Sequence, residues 1–72
     1  MKYTHYEITN ERGKTTAEGR IPGAVTNGLE WAERQVDSVY DVQRETDADG
    51  WPVSEVTTVD GNVFDVHVWR AE

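Results

Sequence analysis

The chain has 72 residues, no cysteine, and 14 acidic against 7 basic residues, for a formal charge of −7. That length allows one domain with a core only just sufficient without staples, which excludes large buried pockets, and the missing thiols exclude a disulfide scaffold and thiolate chemistry. An acidic surface repels phosphate, so direct nucleic-acid binding is not expected, and a cysteine-free chain fits a reducing cytoplasm. The stretch from Met1 to Glu7 is too polar for a signal peptide or a membrane span.

Tyr3 to Thr9 alternates, with Tyr6 and Ile8 to one side and Tyr3, His5 and Glu7 to the other, the pattern of a half-buried strand. Asn10-Glu11-Arg12-Gly13 reads as a four-residue turn into a second strand, Lys14 to Arg20. In that register Ile8 faces Thr15, Tyr6 faces Ala17, His5 faces Glu18 and Tyr3 faces Arg20. Ile21-Pro22-Gly23 ends the hairpin. From Asn27 to about Glu45 the residues Leu29, Ala32, Val36, Val39 and Tyr40 fall on one face of a helix, and Asn27 with Glu30 has capping-box spacing. Asp47-Ala48-Asp49-Gly50-Trp51-Pro52 is a dense turn that stops this helix. Val53 to Val59 and Val63 to Trp69, around Asp60-Gly61-Asn62, form a second hairpin, with Phe64, Val66 and Val68 on its inner face.

The order is therefore strand, strand, helix, strand, strand. Placing the most apolar strands, the first and the last, at the centre predicts an α+β fold of ββαββ type. Its four-stranded sheet has the order 2-1-4-3, with the two central strands parallel and one helix packed on one face. This β-grasp arrangement resembles the immunoglobulin-binding domains of protein G, which share the element order, a Tyr-bearing first strand and a last strand with a Phe-x-Val pair, here Phe64 and Val66. The longer helix, the Asp47 to Pro52 loop and the histidines depart from that family. The resemblance implies a fold alone, and no binding residue of the family is carried over.

Two surfaces qualify as partner-binding sites. On the helix face opposite the core, Glu30, Glu33, Asp37 and Asp41 make an acidic ridge whose carboxylates stand about 4.5 to 6 Å apart along the axis. Such a ridge suits an electrostatically steered contact or the mimicry of a nucleic acid. On the open face of the sheet, Tyr3, His5, His67 and Trp69 cluster beside Glu18 and Arg20, the residue types that anchor interfaces. Glu45-x-Asp47-x-Asp49-Gly50 opens like a calcium loop but has Val56 where a bidentate Glu is needed, and His5 with His67 and Asp65 or Glu7 makes a zinc site only if those side chains converge. No resident metal or cofactor is expected. Neither Ser38 nor Ser54 has a histidine at a recognisable spacing, and no glycine-rich phosphate loop is present.

The expected function is that of a small, acidic, non-enzymatic module of the cytoplasm that binds a partner protein, in particular a basic nucleic-acid-binding one. In size and charge the chain is similar to small phage-encoded anti-CRISPR and anti-restriction proteins. That similarity implies an inhibitor of nucleic-acid-handling or defence machinery, acting in a host cytoplasm. The alternatives are a halophilic or solubilising accessory domain, whose charge serves hydration, and a metal-binding module.

Overall fold

Alternation with a period of two builds five strands, not four. The structure, a computed structural model, describes residues 2–71. In chain order these hold β1 (Tyr3–Asn10), β2 (Thr15–Pro22), α1 (Val25–Glu33), β3 (Val39–Thr46), β4 (Pro52–Thr58) and β5 (Val63–Ala71). The strands form one sheet in the order β2-β1-β5-β4-β3, and every neighbouring pair is antiparallel.

This overturns the expected ββαββ sheet of order 2-1-4-3. The last strand does lie beside the first, but antiparallel to it, so the parallel central pair of a β-grasp is absent. The cause is the second half of the expected helix. The helix covers nine residues, and Ser38 takes a left-handed backbone (φ 58°) that turns the chain into β3. Val36, Asp37, Ser38, Val39 and Tyr40 are all weak helix formers, and the β-branched and aromatic ones suit a strand. One extra strand reverses the direction in which the chain reaches β4 and β5.

The helix also begins earlier than its capping signals suggest. Ala24, extended at φ −73° and ψ 154°, is the N-cap residue and offers no side-chain hydrogen bond. Asn27 lies inside the first turn and is exposed, so the expected capping box does not form. Two turns of helix lie across β1, β5 and β4, and every residue of β3 stays exposed.

The core lies between α1 and the face of the sheet formed by Ile8, Val56, Val66 and Val68, with Leu29 and Ala32 above them. Val36 joins it from the turn after the helix. Val39 and Tyr40, expected in the core, are exposed; Tyr40 sits at a β-bulge opposite the Thr57–Thr58 step and is 77% accessible. In the first hairpin Ile8 pairs with Ala17, Tyr6 with Gly19 and His5 with Arg20. For these pairs the expected register is off by two residues, an even shift that keeps them on their faces, whereas Thr15, expected opposite Ile8, pairs with Thr9 and moves to the other face. Half of the difference comes from the turn, which closes as a three-residue loop with the Asn10 amide donating to the Lys14 carbonyl at 2.9 Å, and half from a bulge at Thr16, whose hydroxyl donates to the Ile8 carbonyl at 3.1 Å.

Two glycines admit close approaches. A Cβ at Gly28 would stand 2.6 Å from Cγ2 of Thr4, so α1 seats directly on β1. On edge strand β2 a Cβ at Gly19 would stand 2.9 Å from the Tyr6 hydroxyl, and Trp31 packs edge-on against the Tyr6 ring with centroids 5.1 Å apart. Among the described residues no helix is long and apolar enough to cross a membrane.

Candidate functional site: the uncovered face of the sheet

The acidic helix ridge does not exist as one surface. Glu30 points to solvent from α1, Asp37 lies in the turn after it, and Asp41 belongs to β3. Glu33, the last helical residue, is buried. Arg44 of β3 grips it with two parallel bonds, Nη2 to Oε1 at 2.7 Å and Nε to Oε2 at 3.0 Å, and the Ser54 hydroxyl of β4 donates to Oε2. Burial pushes the Glu33 carboxyl up, but the hydrogen bonds from Arg44 and Ser54 and the charge of Arg44 together outweigh it and hold the group below its ordinary value. The hydrogen bond and charge of Glu33 in turn raise Arg44. A carboxylate at a helix C-terminus opposes the helix dipole, and the guanidinium offsets that too. Glu33 therefore joins α1, β3 and β4 and is not free to meet a partner.

The second expected cluster does form. Tyr3 and His5 on β1 and His67 and Trp69 on the neighbouring β5 occupy the face of the sheet opposite α1, because they alternate with the buried Thr4, Val66 and Val68. His5 pairs directly with Trp69, and their rings stack at 5.5 Å with 10° between planes. The Arg20 guanidinium lies 4.8 Å from the centre of the Tyr3 ring, a cation–π contact. Trp69 keeps 37% of its surface accessible.

Carboxylates gather around this cluster: Glu7 and Glu18, expected on this face, are joined by Asp41 and Glu45, expected along the helix, and by Asp65 and Glu55. By strand register Glu18, Glu7, Asp65, Glu55, Asp41 and Glu45 share the uncovered face, against Arg20 as the one basic residue among the described strand positions there. Two pairs oppose each other directly, Glu7 with Glu18 and Glu55 with Asp65. Like charges directly across strands are unfavourable. Glu7 accepts a hydrogen bond from the Thr15 hydroxyl at 2.9 Å, and Asp41 accepts one from the Gln43 side-chain amide at 3.4 Å. Asp65 was legible from its alternation with Phe64 and Val66; Glu45 and Asp41 were not, because their side depends on β3 being a strand.

Trp51 was missed altogether. The turn before β4 brings it over this face, where it lines a cleft of about 290 Å³ with Glu7, Asp47, Asp49, His67 and Trp69. Asp47 Oδ1 accepts from the amides of Asp49 and Trp51, both at 2.9 Å, so one oxygen of this carboxylate, the second acidic position of the calcium-loop-like run that begins at Glu45, organises the turn itself. Among the described residues no group of three or more His, Cys, Asp or Glu is arranged to hold a metal ion. No protein-family model, curated protein or solved structure matches the chain.

Proposed function

We propose that the chain is a non-enzymatic binding module that engages a basic partner protein through the uncovered face of its sheet. One observation carries the reading: acidic strand residues outnumber basic ones six to one on that face, with two carboxylate pairs set against each other at a cost in stability. A partner that supplies cations to this face relieves the repulsion and gains electrostatic steering. The aromatic cluster of Tyr3, His5 and Trp69 supplies the anchoring area that charge alone lacks. A basic nucleic-acid-handling protein is the natural partner class, and inhibition of such machinery, in the manner of the small phage proteins it is similar to in size and charge, is the role we favour.

Glu18→Lys and Glu55→Lys each convert an opposed pair into an attractive one. Both should raise the thermal midpoint by a few degrees while weakening capture of the partner. Affinity purification from a bacterial lysate at low salt should retain a basic protein in stoichiometric amount on the unmodified chain and lose it on the double variant. Equal retention by both would remove the acidic face from the interface.

The halophilic reading makes a different demand on salt. Repulsion between opposed surface carboxylates is largely screened once the Debye length has fallen to about 3 Å, near 1 M salt. A binding module should therefore gain thermal stability over the first few hundred millimolar and then level off. A midpoint that keeps climbing through several molar would favour adaptation to a saline cytoplasm.

A further inference from the structure

The turn after β3 is closed twice over. Besides the two amides held by Asp47 Oδ1, the Asp47 amide donates to the Trp51 carbonyl at 2.8 Å and the Gly50 amide to the Asp47 carbonyl at 3.0 Å. These bonds fix the backbone that carries Trp51. Extending the Val53–His67 register by two residues brings Trp51 level with Trp69. His5 stacks on Trp69 from the β1 side, and Trp69 together with Trp51 lines the cleft. The cleft thus has indole walls from two different elements, with Glu7, Asp47 and Asp49 at its margin.

We propose that this cleft seats the side chain of an arginine presented by the basic partner. The inference rests on the binding reading above and names the group recognised. An indole face attracts a cation through its quadrupole, and a guanidinium, planar and weakly hydrated, stacks on it while its edge pairs with a carboxylate. An apolar side chain would desolvate three carboxylates without return, and an anion would be repelled. The molecule's own cations are not there to fill the cleft: no Lys or Arg lines it, Arg20 lies over Tyr3 and Arg44 is held by Glu33. The direct opposition of Glu7 and Glu18, read from strand register, independently gives an incoming cation something to relieve.

The three tryptophans provide a built-in comparison, because Trp31 lies on the other side of the sheet against Tyr6. The indole N–H signals of the full chain are followed by NMR while short arginine-rich, lysine-rich and glutamate-rich peptides are added. The arginine peptide should move Trp51 and Trp69 saturably and leave Trp31 in place; the lysine peptide should bind more weakly and the glutamate peptide not at all. Trp51→Ala should weaken the arginine peptide about tenfold, with most of the loss recovered in Trp51→Phe. Equal affinity for lysine and arginine, movement of all three indoles alike, or no saturable movement overturns the proposal. Arginine binding that survives Trp51→Ala but is lost in Glu18→Lys/Glu55→Lys overturns the cleft while leaving the acidic-face reading intact.

Discussion

Gly28→Ala should destabilise the protein by about 2 kcal/mol, although alanine is the better helix former by about 1 kcal/mol. The new Cβ would stand 2.6 Å from Cγ2 and 2.9 Å from Cβ of Thr4, well inside contact distance. Thr4 has no room to yield: it is fully buried, and its hydroxyl donates to the Gly23 carbonyl at 2.9 Å. The helix must lift from β1, which loosens Leu29 and Ala32 over Ile8 and Val68. For a chain of this size each kcal/mol is worth roughly 4 to 8 °C in thermal midpoint, so a fall of about 10 °C is expected by calorimetry. Adding Thr4→Ser removes the nearer methyl and should restore part of it. An unchanged or raised midpoint in Gly28→Ala would mean that α1 does not seat where the structure places it.

Glu33→Gln should cost roughly 1 to 2 kcal/mol at neutral pH, a value kept low because Arg44 is half exposed and its charge is partly screened. The pH dependence is the sharper test. Since the native pKa of Glu33 lies below its ordinary value, its contribution is fully present above the ordinary carboxylate range. It is lost as pH falls from about 5 through the lowered native pKa. The stability gap between the unmodified chain and Glu33→Gln, measured by urea unfolding, should therefore narrow on acidification through that window. A gap that stays constant would show that the carboxylate's charge adds nothing and that only its shape matters.

What the sequence made legible follows the strength of local signals. The second hairpin is placed almost to the residue, since Asp60-Gly61-Asn62 between two β-branched runs leaves little alternative. The first hairpin has the right strands but the wrong pairing, because its turn is a three-residue loop rather than a four-residue one and a one-residue bulge at Thr16 carries no marker in composition. Leu29, Ala32 and Val36 are core residues as the helical spacing predicts. The error begins at Val39. Spacing of three and four continues to place Val39 and Tyr40 on the helix face, while the β-branched and aromatic Val39, Tyr40 and Val42 suit a strand, and tertiary pairing with β4 decides between them. Asp37-Ser38, a turn-forming pair between the two patterns, is the local clue.

That error carried straight into the site. The aromatic cluster survived because β1 and β5 were both read as neighbouring strands, whichever direction the second ran. The acidic cluster moved because its carboxylates were placed by helical periodicity over a stretch that is not helical. Glu33 had been chosen for exposure, and a single cation from a strand that was not foreseen turned it inward.

The position of β5 sets the order in which the molecule becomes whole. It lies in the middle of the sheet, between β1 and β4, yet it is the last strand in the chain. During synthesis the first hairpin, the helix and the β3–β4 hairpin are all made before Val66 and Val68, the residues that join them, have left the ribosome. Until then two sheet fragments present bare edges that can pair with other chains. Tyr6 and Val68, partners across the central seam, are 62 residues apart in sequence, so the entropy of closing nearly the whole chain is spent before the core rewards it. Pairing across this central seam is therefore the most non-local event in the fold, the kind of contact that slows folding.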